Sequence, residues 1–354
     1  MKRILISLLA FPVITTFAQD KDKPQVGWTA YLETYYQYDF NKPKDNTRPP
    51  FIYSHNRHNE FNLNLGYIKG TYNSDRTRAN LALAAGTYIN ANYSAEPGVL
   101  KNVFEANAGY KISKNKNIWI DAGILPSHIG FESAISKDCW TLTRSLLAEN
   151  SPYFEAGAKL SYTSNNGKWL ISAMALNGWQ RITRVNGNSL MSWGAQIQYK
   201  PSEKILLNYS NFLGSDKPDS ARKIRFFHNL YGIFTLSDHW GLIAGLDIGT
   251  EGKKGSSNSW YSPVIIVKYN INDKWSMAGR AEIYNDKKEV IITTGTPNGF
   301  QTSGYSVNID FGPSKNILLR MEARNLKSKD AIFQKQNNAV KNNFFITSSI
   351  AVNF

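Results

Sequence analysis

The sequence predicts an all-β protein, a closed antiparallel transmembrane β-barrel of about sixteen strands. Three observations support this fold class. Apolar and polar residues alternate along most of the chain, the connections between alternating segments are in turn short and long, and no later apolar run could form a membrane-spanning helix. A barrel with lipid outside and water inside shows this pattern, because its apolar residues occur in alternation rather than in runs.

The first residues have the pattern of a secretory signal. Lys2 and Arg3 precede a short apolar core, and cleavage is expected before Gln19. The polar sequence QDKDKPQ follows at once, which disfavours the alternative of a buried N-terminal helix. We therefore expect three segments: a signal peptide over 1–18, a short periplasmic tail over 19–26 and a transmembrane barrel over 27–354.

Composition excludes several classes of protein. Cys139 is the single cysteine, so no disulfide framework holds the fold. The formal net charge of +14 raises the question of nucleic acid. We predict no nucleic-acid partner, because the basic residues are spread along the chain and the protein is expected to be exported. Anionic lipid headgroups or anionic solutes are the expected partners of this charge.

Sixteen segments with a period of two are the predicted strands. They lie near 27–40, 59–72, 77–89, 102–112, 117–125, 153–163, 168–179, 189–200, 203–213, 222–235, 239–249, 259–269, 273–284, 300–311, 315–326 and 343–354.

Seven short connections with turn-forming sequences alternate with eight long ones. Outer-membrane barrels have short periplasmic turns and long external loops. The long connections are 41–58, 90–101, 126–152, 180–188, 214–221, 250–258, 285–299 and 327–342, numbered here as the first to the eighth loop.

The cost of charge in lipid predicts which face of each strand points inward. In the segment 315–326, Arg320 and Arg324 share one face, and an arginine facing lipid at the midplane costs about 2–4 kcal/mol. The same logic, applied to all strands, gives ten predicted pore-lining residues: Glu33, Glu105, Asp121, Glu155, Arg280, Glu282, Asp310, Arg320, Glu322 and Arg324. Arg280, Arg320 and Arg324 would form a basic wall opposite a more acidic one, which predicts a mild preference for anions. A solvated wall whose charges cancel is the alternative.

Small residues also occupy predicted lumen positions, namely Gly66, Ala82, Gly157, Gly194, Gly241 and Gly245. They favour an open lumen over a filled one.

The C-terminal segment NFFITSSIAVNF places alternate apolar residues on one face and ends in Phe354. It resembles the signal by which outer-membrane barrels reach their assembly machinery, so Phe354 is the predicted assembly signal. An ordinary terminal strand is the alternative.

The third loop, 126–152, is the longest connection and loses the period of two near Cys139 to Glu149, where one or two helical turns are expected. Its apolar content predicts packing against the barrel lumen. The charged residues of the predicted constriction are Glu132, Lys137, Asp138, Arg144 and Glu149.

The stretches LPSHIGFES and TRSLLAENSPYFEAG, with the sixteen-strand rhythm and the C-terminal Phe, resemble the OmpL-like β-barrel porin family of Bacteroidetes-type bacteria. The resemblance implies location in the cell outer membrane and passive diffusion of small hydrophilic solutes, without fixing a solute. It also agrees with sixteen-stranded general porins, which fold their third loop into the channel.

Two other functions stay open at this stage. A structural or adhesive outer-membrane barrel would lack an open pore, and an outer-membrane enzyme would need a positioned Ser–His or Asp–His set. Only His128, beside Ser127, lies near the third loop. No metal-ligand spacing or phosphate-binding motif occurs in the sequence, so no enzyme activity and no cofactor are predicted. The oligomeric state, monomer or trimer, is left open.

Overall fold

In a computed structural model, residues 24–253 and 256–354 are described, and sixteen of their strands form one closed antiparallel barrel. Each strand pairs with the barrel strand before and after it in the chain, and the first pairs with the last to close the wall. Closure gives every edge strand a partner, which a sheet in lipid requires. The predicted signal peptide 1–18 and most of the predicted tail 19–26 lie outside the described residues.

The barrel strands and the small hairpin between the last two of them have the following bounds. They are β1 Gln25–Asp39, β2 Phe61–Asn73, β3 Thr77–Ala85, β4 Val103–Lys111, β5 Asn117–Pro126, β6 Phe154–Thr163, β7 Trp169–Leu176, β8 Ser192–Ser202, β9 Ile205–Gly214, β10 Ile224–Thr235, β11 Trp240–Lys253, β12 Ser256–Asn270, β13 Trp275–Asp286, β14 Phe300–Ser314, β15 Ile317–Ser328, the hairpin β16 Phe333–Lys335 with β17 Asn338–Val340, and β18 Asn342–Asn353.

The two faces of each strand differ as the alternation predicts. On β15, Leu319 and Met321 are 37% and 52% exposed on the outer face, whereas Arg320 and Arg324 are 3% and 1% exposed on the inner face. Outer faces carry apolar side chains and inner faces carry polar ones on most strands, as expected when lipid lies outside. The prediction of a closed sixteen-strand barrel is confirmed.

β-Bulges account for the places where the predicted faces are wrong. On β2, Asn64 is an extra residue between the pairs Glu33–Leu65 and Thr34–Leu63, so the pattern shifts by one residue. Leu65 is therefore buried on the inner face, and Gly66, predicted to line the lumen, lies on the outer face against Leu32.

The bulge on β4 has the same kind of effect. Phe104 is the extra residue between the paired Val103 and Glu105, and its ring stacks on Tyr67 at 5.5 Å between centroids.

Helices are short and lie in the external connections. Helix α1, Thr87–Asn92, occupies the end of the predicted third strand, and helix α2, Leu146–Glu149, is a single turn within the third loop. Three 3₁₀ turns complete the helical structure of the described residues: Gly98–Asn102, Ser136–Asp138 and Asp219–Ala221. None of the helices in the described part of the chain has the length and apolar character needed to cross a membrane.

Candidate functional site: the barrel interior and the third loop

All ten predicted pore-lining residues are buried on the inner face of the wall. They fall into two groups according to what they contact. Glu105 and Asp121 form ion pairs with other strands, and Glu33 and Glu155 bind histidines of the first and third loops. The other six lie together on β13, β14 and β15, and each of them except Asp310 contacts the backbone or side chains of the third loop.

The three arginines of this second group are paired with carboxylates on their own wall. Arg280 Nη2 lies 2.7 Å from Glu322 Oε1, and Arg324 Nη2 lies 2.5 Å from Glu282 Oε1. Arg320 binds Asp310 through two nitrogens, at 2.8 and 2.9 Å. These side chains therefore do not form the exposed basic wall that the sequence predicted. Two of the ion pairs cross from β13 to β15, over β14, and the third joins the neighbouring strands β14 and β15, so each arginine is neutralised by a carboxylate of the same wall.

The same ionic groups hold the backbone of the third loop. Glu322 accepts the N–H of Thr143 at 2.6 Å, and Glu282 accepts the N–H of Leu146 at 2.6 Å. Arg280 donates to the carbonyl of Thr143 at 2.6 Å. Charge-assisted bonds of this kind are stronger than neutral ones, so the loop is fixed at several points along its length.

The loop contacts reach from one end of the barrel to the other. At the external end, Glu149 accepts the N–H of Tyr53 in the first loop at 2.8 Å. At the opposite end, Lys137 donates to the carbonyl of Lys315, in the short turn between β14 and β15, at 2.7 Å. The third loop therefore contacts the wall over its full height.

Arg144 organises the loop internally. Its guanidinium, which is fully buried, donates to the carbonyls of Ser133, Leu142 and Ala134 at 2.5, 2.6 and 3.0 Å. Burial raises the pKa of Glu132, which accepts the N–H of Ser145 at 3.1 Å, and also the pKa of Asp138. Because the arginine satisfies carbonyls that no regular structure pairs, an irregular segment can remain buried.

Two further side chains of the third loop, those of Glu149 and Cys139, have raised pKa values. Burial raises the pKa of the Glu149 carboxyl to about 7, although the N–H groups of Tyr53 and Ser54 favour its ionised form. Burial likewise raises the pKa of the Cys139 thiol to about 11. Desolvation disfavours the charged form in both cases.

Small wall residues make room for large side chains of the loop. A Cβ atom at Gly241 would lie 2.6 Å from the Trp140 ring, and one at Gly245 would lie 2.7 Å from the Phe131 ring. A Cβ atom at Gly194 would lie 2.7 Å from the His128 ring. The small residues on β8 and β11 therefore receive the loop rather than leave the space open.

An apolar cluster fills the external end of the interior. It joins Phe51 of the first loop, Leu146 of the third, Ile292 of the seventh and Phe333 of the eighth to buried side chains at the strand ends. Sequence reasoning missed this cluster, because its members come from several connections and strand ends that lie far apart in the chain.

The opposite side of the interior contains cavities, and two of them, both lined by described residues, have charged side chains in their lining. The first, about 340 Å³, lies between the third loop and β2 and β4, and includes Lys69, Glu105 and Asp138 in its lining. The second, about 380 Å³, lies on the inner face of β5 to β8 near the short turns, with Lys159 in its lining.

Ion pairs of β2 to β5 line the wall around these cavities. Lys69 binds Glu105 at 2.5 Å, and Arg78 binds both oxygens of Asp121 at 2.6 Å. The Arg78 side chain crosses Gly109, where a Cβ atom would lie 2.2 Å from Asp121.

Sequence reasoning missed the partners of these carboxylates, among them Lys69, Arg78, His55 and His128. The alternation did place Lys69 and Arg78 on strands, and their charge was the available signal. No group of residues in the described ranges could hold a metal ion.

Phe354 lies at the end of β18 with its side chain on the outer face, 70% exposed. Its N–H donates to the carbonyl of Ala30 on β1 at 2.9 Å, so the last residue takes part in the closing seam.

Comparison with solved structures shows the fold. The anion-selective porin from Comamonas acidovorans is 11% identical with a TM-score of 0.61, covering 94% of this chain and 100% of that one. The outer membrane channel DcaP of Acinetobacter baumannii is 12% identical with a TM-score of 0.63, covering 94% and 97%. OmpT of Vibrio cholerae is 8% identical with a TM-score of 0.60, covering 95% and 99%.

No curated protein sequence matches the chain. The family model described as "Putative beta-barrel porin-2, OmpL-like" matches residues 25–354, which include all sixteen barrel strands. The chain therefore belongs to the OmpL-like β-barrel porin family of outer-membrane proteins.

Proposed function

We propose that this protein is a passive diffusion channel for small hydrophilic solutes, with the third loop folded into the lumen as its constriction. The observation that carries the proposal is the presence, inside a closed barrel, of a cavity beside the third loop and of a second cavity near the short turns, both with charged side chains in their lining. Family membership and the porin fold support the same function.

The solute route in this proposal follows the inner wall of β2 to β8. Lys69 and Glu105 line the first cavity, and Arg78 and Lys159 line the second. Asp121, bound to Arg78, is the register partner of Lys159 on the neighbouring strand. These charged side chains would stay hydrated, whereas the wall of β13 to β15 is covered by the loop.

We still propose a mild preference for anions, but we no longer assign it to the three arginines of β13 and β15. Arg280, Arg320 and Arg324 are neutralised by carboxylates and by loop carbonyls, so their charge is not offered to a passing ion.

The interior does not favour an enzyme. His128 Nδ1 lies 2.8 Å from Glu155, and its Nε2 lies 2.8 Å from the carbonyl oxygen of Asn211. Both ring nitrogens face acceptors, so the imidazole has no free nitrogen with which to activate the hydroxyl of Ser127. We propose a channel without catalytic activity.

A barrel without an open pore is the second candidate, and one observation favours it. The apolar cluster around Phe51, Leu146 and Phe300 fills the external end of the interior. If this cluster and the third loop together block the route, the protein would be a structural or adhesive barrel.

Outer-membrane lipid is the expected partner of the apolar outer face. The barrel assembly machinery is the proposed partner of the C-terminal strand, with Phe354 as the signal. The outer face is compatible with either a monomer or a trimer.

Single-channel recording on the purified, folded protein in a planar lipid bilayer tests the proposal. Steps of constant conductance in KCl are expected for an open pore. A variant without residues 139–146, which removes Trp140 and Arg144, should conduct more if the third loop is the constriction. Absence of conductance in the wild type, together with conductance in the deletion variant, would favour the closed barrel.

A further inference from the structure

We propose that the cavity on the inner face of β5 to β8 is a binding site for small anions, such as phosphate or short carboxylates. The inference rests on the proposed channel function and adds a place where solutes bind. The cavity encloses about 380 Å³, enough for a small hydrated anion. It lies near the short turns, on the side of the barrel interior away from the ion pairs of β13 to β15.

The ionisable side chains of the lining are all basic. Arg78, Lys159, Lys168 and Lys200 are its ionisable members, and none of the described lining residues is a carboxylate. Asp121 is the nearest candidate to neutralise Lys159, since the two are register partners on β5 and β6. Arg78, however, takes both of its oxygens at 2.6 Å.

The ammonium group of Lys159 thus lines the cavity without a bound carboxylate. No ion pair of Lys159 is found among the residues that the structure describes, and its side chain is only partly exposed. Lys168 and Lys200 lie further toward the mouth, and the carbonyl of Lys168 accepts the N–H of Lys200 at 2.8 Å. The three lysines therefore line one cavity from β6, from the turn before β7 and from the end of β8.

Polar groups complete the lining. The hydroxyls of Ser161, Thr163 and Ser172 line the cavity and can donate to an anion. Gln196 bonds the carbonyl oxygen of His128 at 3.1 Å and so connects the cavity to the start of the third loop. A cleft that is lined by charges of one sign and surrounded by a low-dielectric medium concentrates ions of the opposite charge.

Fully hydrated lysines at a channel mouth, with no bound anion, are the alternative. A binding site and a diffuse positive field differ in the stoichiometry of anion binding and in whether the binding saturates. A binding site gives a saturable interaction that depends on these three lysines, whereas a diffuse field depends on total charge and is screened beyond about 8–10 Å in physiological salt.

The test uses the full-length folded protein and inorganic phosphate as the probe. Broadening of the phosphate ³¹P NMR signal, titrated in low salt, reports binding without requiring conductance. Reversal potentials in a KCl gradient report selectivity. The variant is K159Q/K168Q/K200Q. The control is K114Q/K204Q/K274Q, which removes the same charge from exposed positions in other short turns.

We expect phosphate affinity to fall about tenfold or more in the first variant, since a single close charge pair changes affinity about fivefold even in water. Its reversal potential should shift toward that of a non-selective pore. The control variant should keep both properties. Heat-modifiable migration of each variant on a detergent gel verifies that it is folded.

Equal phosphate binding in the wild type and the K159Q/K168Q/K200Q variant would overturn the proposal. An equal loss in the control variant would also overturn it, because diffuse charge would then explain the effect. Phosphate binding that depends on the three lysines in a protein that does not conduct would refute the channel and leave the anion site standing.

Discussion

We expect the docking of the third loop to depend on pH through Glu149. Its carboxyl is 2% exposed and accepts the N–H groups of Tyr53 at 2.8 Å and Ser54 at 3.2 Å. Burial raises its pKa from 4.5 to about 7 in spite of these bonds and of the nearby Arg144 and Arg324. A change of this size corresponds to about 3 kcal/mol of free energy.

Stability falls as the pH rises, because the folded state binds the proton of Glu149 more tightly than the unfolded state does. Between pH 4.5 and about 7 the folded protein keeps the proton on Glu149 while the unfolded chain has lost it. The contribution of Glu149 to stability is therefore complete below pH 4.5, is lost as the pH rises to about 7, and stays lost above.

The Glu149→Gln variant tests this reasoning, because a neutral amide cannot ionise. The free energy of unfolding is measured at pH 4.5 and pH 8 from the loss of the folded, fast-migrating form in a urea series. We expect the wild type to lose about 3 kcal/mol more than the variant between the two pH values. Glu132 and His128 also have raised pKa values, so their contributions to the free energy of unfolding likewise fall as the pH rises. They do so in both proteins, so the difference isolates Glu149.

Glu203→Gln, an exposed turn variant, serves as the control and should follow the wild type. If Glu149→Gln shows the same pH dependence as the wild type, the raised pKa does not contribute to stability and the argument fails.

Three other predictions concern the loop and the closing seam. Gly241→Val should destabilise the fold by about 1–3 kcal/mol because its side chain would collide with Trp140, whereas Gly279→Ala, whose Cβ meets no atom closer than 3.9 Å, should unfold like the wild type in the same urea series. Cys139, 7% exposed with its thiol pKa raised to about 11, should react with a small maleimide at pH 8 much more slowly in the folded than in the urea-unfolded protein; equal rates would place this part of the loop in water. Deletion of Phe354 should lower the amount of protein in the outer-membrane fraction, and undiminished amounts would show that the residue is not an assembly signal.

Much of the fold can be predicted from the sequence because lipid excludes charged side chains from the outer face of each strand. Arg320 and Arg324 must avoid lipid, and a period of two then fixes the direction of every other side chain on β15. The alternation holds wherever the strand is regular. It is wrong on β2, where the bulge at Asn64 moves Leu65 inward and Gly66 outward, because no local signal in the sequence marks a bulge.

Alternation gives the face of a residue but not its partners. It placed Arg280, Glu282 and Glu322 inside, yet their pairing depends on the register of β13, β14 and β15 and on a loop more than 130 residues away. The glycines show the same limit: Gly241 was correctly placed inside, but the side chain that fills the space above it comes from Trp140.

The position of the third loop along the chain has a consequence for how the molecule assembles. The loop follows β5, but its buried anchors, Glu282, Glu322 and Arg320, belong to strands made long after it, with separations of 136 to 184 residues. Until those strands arrive, the N–H groups of Thr143 and Leu146 lack their carboxylate partners, and only the contacts of the loop with earlier strands, such as that of His128 with Glu155 on β6, can form. Docking is therefore a late event that waits for the C-terminal part of the chain, and contacts of such long range make it slow. An intermediate with the first strands formed and the loop still outside would be the species that chaperones and proteases of the periplasm meet.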